Sequence, residues 1–120
     1  MYHRVMSFRH AFAGLAHVAR TQTNARIHLV AAAVVVVLGA RLGLPARDWA
    51  LVALCIGLVL AAEAMNTAVE AVVDLASPDV HPLARVAKDA AAGAVLLTAM
   101  AAAAVGLLVL GPPLAAWLRG

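Results

Sequence analysis

Three long apolar runs follow one another along the chain and predict membrane-spanning helices. They cover residues 27–44, 48–75 and 82–110. In the third run Ala90–Leu110 carries no charge, and as a helix it would measure about 31 Å, close to the roughly 30 Å thickness of a bilayer's hydrocarbon core. The pattern therefore predicts an all-α membrane protein with three transmembrane helices.

A different pattern precedes the first run, at residues 1–20. Its apolar positions and its cationic or histidine positions recur with helical spacing on opposite faces: Val5, Phe8, Phe12, Leu15 and Ala19 on one, Arg9, His10, His17 and Arg20 on the other. This distribution is typical of an amphipathic helix that lies among lipid headgroups. The alternative is a soluble helix packed on the rest of the protein. The polar segment 21–24 is suited to end it and to start a new helix.

Glycine, proline and charged positions in the runs predict further local features. Gly39 and Gly43 are spaced to let another helix approach closely. Pro82 fits the first position of the third helix, and Gly111-Pro112-Pro113 is expected to end that helix. Arg85 and Asp89 are four residues apart and can form a pair.

Composition agrees with a membrane protein and excludes several other classes. The 120 residues are 65% hydrophobic and 12% charged, with a mean hydropathy of +0.95, which is far outside the range of soluble domains. That length allows one domain, 1–120. The single cysteine, Cys55, excludes an internal disulfide. The basic residues form no stripe with interleaved aromatics, so a nucleic-acid partner is not expected.

The distribution of basic residues predicts the orientation. With the N-terminus inside, six basic residues are cytoplasmic, namely Arg4, Arg9, Arg20, Arg26, Arg85 and Lys88, against Arg41, Arg47 and Arg119 outside. This excess favours a cytoplasmic N-terminus.

The second run ends in a stripe of polar side chains. Glu63, Asn66, Glu70 and Asp74 fall within a sector of about 80° on a helix and climb about 16 Å. Carboxylates on one face of an oily helix repel one another and resist desolvation, so something cationic should lie between them. About 21 Å of uncharged helix precedes Glu63, which puts it near the inner boundary of the hydrocarbon and leaves Glu70 and Asp74 in water.

Such residues at an inner membrane face could perform phosphoryl transfer to a lipid. Mg²⁺ prefers carboxylate and phosphate oxygens, a lysine such as Lys88 can neutralise phosphate, and a carboxylate at the depth of Glu63 could take a proton from a lipid hydroxyl. An ion path, a polar assembly seam or an acid-lined channel remains an alternative. Lys88 could equally be a snorkelling anchor. His28 is expected to be a helix–helix hydrogen-bond partner and not a ligand.

Two motif blocks resemble a known family. They read Glu63-x-x-Asn66-Thr-Ala-x-Glu70-x-x-x-Asp74 and His81-Pro-Leu-Ala-Arg-Val-Ala-Lys88-Asp89-Ala-Ala-Ala-Gly93-Ala-Val, and they are similar to the prokaryotic diacylglycerol kinase family. The His-Pro-Leu-Ala segment is nearer to its undecaprenol kinase branch. The resemblance implies a homotrimeric integral membrane lipid kinase of the bacterial inner membrane, with active sites shared between subunits. It also implies ATP as co-substrate, Mg²⁺ as cofactor and a lipid alcohol as substrate, with undecaprenol slightly favoured over diacylglycerol.

The resemblance also implies roles for individual residues. Glu63 would be the general base, Glu70 a ligand of Mg²⁺ and thereby of ATP, and Asn66 and Asp74 supporting residues. Nucleotide contacts would come from Lys88, Asp89, Asp79, His81 and His10. Gln22 departs from the family pattern, which usually has a glutamate there as second Mg²⁺ ligand. Its amide oxygen can still coordinate the metal or one of its waters but adds no charge, so we expect weaker metal binding. A chain that has lost catalysis is the alternative.

Overall fold

A computed structural model describes all 120 residues and contains four α-helices. They are α1 (Tyr2–Thr21), α2 (Thr23–Leu42), α3 (Ala46–Ala76) and α4 (Pro82–Arg119). Helices α2, α3 and α4 are each long and apolar enough to cross a membrane. The prediction of an all-α membrane fold with one helix before three spans is therefore confirmed.

The polar segment after α1 breaks the helix at a single residue. Gln22 adopts an extended backbone conformation, and its N–H donates to the Val18 carbonyl. Helix α2 then begins at Thr23, four residues before the predicted start of the first span. The first turn of α2 is polar and still helical, because its backbone hydrogen bonds form whether or not the side chains are apolar. Hydropathy indicates which residues lie in the bilayer and does not indicate where a helix begins or ends.

A tight turn reverses the chain between α2 and α3. Gly43 has a positive φ of 68° and ends α2, a conformation that glycine adopts without a steric penalty. Gly39 serves a different purpose, because a Cβ there would lie 2.9 Å from the side chains of Leu44 and Trp49. The two glycines were expected to allow the close approach of another helix. Only Gly39 does so, and Gly43 is instead a helix cap.

The turn between α3 and α4 has the predicted proline at the first position of the new helix. Pro82 begins α4, and the Leu83 N–H donates to Nδ1 of His81, 3.1 Å away. Proline has no N–H to lose at this position, and a side-chain acceptor before it satisfies one of the free backbone donors.

The end of α4 differs from the prediction. Gly111-Pro112-Pro113 was expected to stop the helix, but α4 continues through both prolines to Arg119. Each proline removes only its own backbone hydrogen bond, and the apolar residues that follow keep the helical pattern. The last turns bring Trp117 into a crevice with Leu38 and Arg41 of α2.

Helices α2, α3 and α4 run in alternating directions, with the small apolar core near the α2–α3 turn. Leu44, Val52, Val109 and Leu110 form this core. Only eight of the 120 residues are buried, so most apolar side chains face outward, as they do on a protein solvated by lipid. The apolar face of α1 is also uncovered, since Phe8 and Phe12 are about 70% exposed. The rest of this chain therefore does not cover that face.

Candidate active site

Polar side chains gather at the end of the bundle opposite the apolar core. The N-terminal part of α2, the C-terminal half of α3 and the first turns of α4 meet there. Three contacts between side chains join its members, from His28 to Glu63, from Asn66 to Glu70 and from Lys88 to Asp74. The predicted stripe on α3 therefore contacts α2 at Glu63 and α4 at Asp74.

Glu63 is the one charged residue that the fold buries. Its exposed fraction is 2%. His28 of α2 approaches it, with Nε2 of the imidazole 3.2 Å from Oε1. The ring is not oriented to donate, and Oε1 is sealed off without a hydrogen-bond partner. Oε2 also accepts no hydrogen bond, but it is not enclosed in the same way. Burying a carboxylate whose oxygens accept no hydrogen bond costs free energy, so this position requires a hydrogen-bond donor.

An apolar groove leads away from this pair. Helices α2, α3 and α4 enclose a volume of about 620 Å³, and 16 of the 19 lining residues are hydrophobic. His28 lines the groove at the end where Glu63 lies, and Leu114 lines it towards the end of α4. The lining is thus apolar except at His28, whose Nε2 lies 3.2 Å from Oε1 of Glu63.

The next polar pair lies one and two turns after Glu63 on α3. Nδ2 of Asn66 donates to Oε1 of Glu70 across 3.2 Å, and both side chains are half-buried. This leaves Oε2 of Glu70 without a hydrogen bond and leaves Oδ1 of Asn66 buried without a donor. Asn66 therefore fixes one oxygen of Glu70 while the other remains available to a ligand.

Lys88 ties the start of α4 to the end of α3. Its Nζ lies 2.5 Å from Oδ1 of Asp74, with 40% of the lysine side chain and 67% of the aspartate side chain exposed. Arg85 and Asp89 form the expected pair one helical turn apart, at 3.7 Å and fully in solvent. Lys88 is therefore directed at the polar stripe of α3 and does not extend away from it.

The remaining predicted ligands do not meet Glu70 within the single chain. His10, Asp79 and Asp89 are exposed, His81 caps α4 through Nδ1, and Gln22 is half-buried with its Nε2 3.5 Å from Oγ1 of Thr21. None of them forms a hydrogen bond or an ion pair with Glu70. Their proposed roles toward nucleotide and metal stay predictions.

The carboxylates of the site fit Mg²⁺ that is held by one or two protein ligands, and they do not fit a cage made of protein side chains alone. No group of three or more His, Cys, Asp or Glu side chains is close enough to form a cage. Mg²⁺ commonly keeps water and phosphate oxygens and takes only one or two protein carboxylates. Glu70 accepts a hydrogen bond from Asn66 and has Oε2 free, so it suits Mg²⁺ whose other ligands are water and phosphate oxygens.

Comparison with known proteins identifies the family of this chain. The model of the prokaryotic diacylglycerol kinase family matches residues 9–110. The chain belongs to this family. The resemblance inferred from the two motif blocks is thus confirmed, and the chain is a membrane protein of a prokaryotic lipid kinase family.

Two curated relatives carry different substrate names. A diacylglycerol kinase from Synechocystis sp. is 47% identical over 92% of this chain, and the chain spans 63% of that relative's length. An undecaprenol kinase from Bacillus subtilis is 43% identical over 90% of this chain and 88% of its own length. The two identities are too close to separate the two lipids.

Sequence reasoning found every residue of the α3 stripe but did not identify the partner of Glu63. His28 was expected to form a hydrogen bond with another helix, and in the structure its imidazole lies beside Glu63 of α3. The available signal was the predicted depth, because Arg26, just before His28, is expected on the cytoplasmic side and Glu63 is expected at the inner edge of the hydrocarbon. Helical spacing within one segment carries no information on which residues of two segments meet.

Proposed function

We propose that this protein is an integral membrane lipid kinase that transfers the γ-phosphate of ATP to the hydroxyl of a lipid alcohol. The observation that carries this proposal is the buried Glu63, whose carboxylate oxygens accept no hydrogen bond and which lies beside His28 at one end of an apolar groove. A lipid has the complementary shape, since its hydrocarbon fits such a groove and its hydroxyl is the donor that Glu63 lacks.

Glu63 acts as general base in this proposal. The lipid hydroxyl donates its proton to the carboxylate, the lipid oxygen attacks the γ-phosphorus of ATP, and the bond from that phosphorus to the bridging oxygen of ADP breaks. The products are the phosphorylated lipid and ADP. Burial aids the step, because fixed groups in a site without water act more strongly on developing charge than water does.

The nucleotide would bind on the aqueous side of Glu63. Glu70, with Gln22 as a weaker second donor, would hold Mg²⁺, which neutralises phosphate charge when bound. Lys88 lies beside Asp74 at the same end of the bundle and would contact phosphate, with Asp89, Asp79, His81 and His10 as further nucleotide contacts. Asn66 supports the site by orienting Glu70.

The membrane setting follows from the same features. The excess of basic residues supports a position of the N-terminus and of this polar end on the cytoplasmic side of the bacterial inner membrane, where ATP is present. Helix α1 would lie in the headgroup layer, since its apolar face is uncovered by protein. Several predicted ligands do not reach Glu70 in one chain, which supports a homotrimer whose active sites are shared between subunits.

The lipid is undecaprenol or diacylglycerol. Both present a hydroxyl at the interface, and both names occur among the relatives. The His-Pro-Leu-Ala segment favours undecaprenol slightly.

Purified protein in mixed micelles with [γ-³²P]ATP, Mg²⁺ and each lipid in separate reactions tests the proposal. We expect label in the extracted lipid, at a higher rate with undecaprenol. The rival function, an acid-lined channel, predicts nucleotide-independent conductance in planar bilayers instead. Unlabelled lipid in both reactions would overturn the kinase proposal, and conductance would then favour the channel.

A further inference from the structure

We propose that His28 is a positioning residue for the base, holding Oε1 of Glu63 so that Oε2 faces the lipid hydroxyl. This inference rests on the proposed function. It starts from the 3.2 Å approach of Nε2 to Oε1 across the α2–α3 interface.

The two oxygens of Glu63 lie in different environments. Oε1 is sealed against α2 and has no donor, whereas Oε2 is the less enclosed oxygen. A carboxylate with two equivalent oxygens can rotate between them, and a base that rotates presents the wrong oxygen part of the time. A donor fixed on Oε1 removes that freedom and leaves one defined oxygen for proton transfer.

His28 is the side chain placed to be that donor. It lines the apolar groove, where 16 of 19 residues offer no hydrogen bond, and it is the one partner within ion-pair distance of Glu63. Thr67, on the same helix as Glu63, bonds only to the Glu63 carbonyl oxygen and so does not orient the carboxylate. The imidazole needs only to turn to align its N–H, and catalytic hydrogen bonds are often poorly aligned until substrate binds.

The arrangement makes His28 act through Glu63 and not on the nucleotide. Its loss should lower kcat for phosphate transfer while leaving the KM for ATP unchanged, since His28 contacts Glu63 and lines the apolar groove. Loss of a hydrogen bond to a charged acceptor corresponds to a fall of about 10- to 100-fold.

The test compares His28→Leu with His28→Gln, whose side-chain amide can place a donor where Nε2 lies. We expect His28→Leu to lose about 10- to 100-fold in kcat and His28→Gln to recover most of it, with trimer assembly and KM for ATP unchanged in both. Thr98→Val is the matched control, because Thr98 bonds only within α4 and its loss should leave kcat as in the wild type.

A double variant separates positioning from a merely structural role. In a Glu63→Gln background, His28→Leu should reduce the residual rate no further, because its effect needs the carboxylate. A wild-type kcat in His28→Leu, a His28→Gln variant as slow as His28→Leu, or full additivity in the double variant would each overturn the inference. If the wild-type chain itself transfers no phosphate, the proposed function fails, and that result is distinct from these.

Discussion

The hydrogen bond from Asn66 to Glu70 predicts how strongly the activity depends on Mg²⁺. Its donor and acceptor are 3.2 Å apart and half-buried. A hydrogen bond to a charged group contributes about 1.5–3 kcal/mol, and partial exposure favours the lower end of that range. Since about 1.4 kcal/mol is a factor of ten in an equilibrium constant, Asn66→Ala should raise the Mg²⁺ concentration for half-maximal activity about tenfold.

The assay is a Mg²⁺ titration of phosphate transfer at saturating ATP and lipid, with assembly checked by size-exclusion chromatography in detergent. Met65→Leu is the matched control, because it changes an exposed neighbour on the same helix that is 66% accessible, and it should titrate as the wild type does. An Asn66→Ala protein that elutes as the wild type does and has an unaltered Mg²⁺ requirement would refute the idea that Asn66 orients a metal ligand.

Two further substitutions test other parts of the structure. Gly39→Ala should destabilise the fold relative to Gly57→Ala by about 1–2 kcal/mol in thermal unfolding, because a Cβ at Gly39 meets side chains at 2.9 Å whereas Gly57 has open space around it; equal unfolding temperatures would contradict this packing. Gln22→Glu should lower the Mg²⁺ concentration needed for activity, since it adds a charge to the ligand set, and an unchanged requirement would remove Gln22 from the site.

Periodicity and hydropathy were sufficient for the helices and for the face of α3 that carries Glu63 to Asp74. They failed at Pro112 and Pro113, where proline was expected to end the helix. The remaining backbone hydrogen bonds hold α4 together through both prolines. They also misread Gly43, because spacing alone does not distinguish a packing glycine from one with a positive φ. The positions of helix ends depend on backbone geometry that an apolar pattern does not report.

The contacts of the candidate site also divide into those that the sequence pattern predicts and those that it does not. Contacts between residues one turn apart, such as Arg85 with Asp89, follow from helical spacing and were predicted. Contacts between helices, such as His28 with Glu63 and Lys88 with Asp74, depend on how the helices align and rotate against each other. Gln22 and His10 form no hydrogen bond or ion pair with Glu70 within one chain, so their proposed roles stay predictions.

The central claim is that the buried Glu63 takes the proton from a lipid hydroxyl. Transfer of ³²P from ATP to extracted lipid by Glu63→Gln, compared with wild type at equal amounts of protein with the same elution volume, tests it most directly. The substitution keeps the size of the side chain and removes the base, and loss of general base catalysis should reduce transfer by about 100-fold or more. Labelled lipid forming at close to the wild-type rate in Glu63→Gln would contradict the claim.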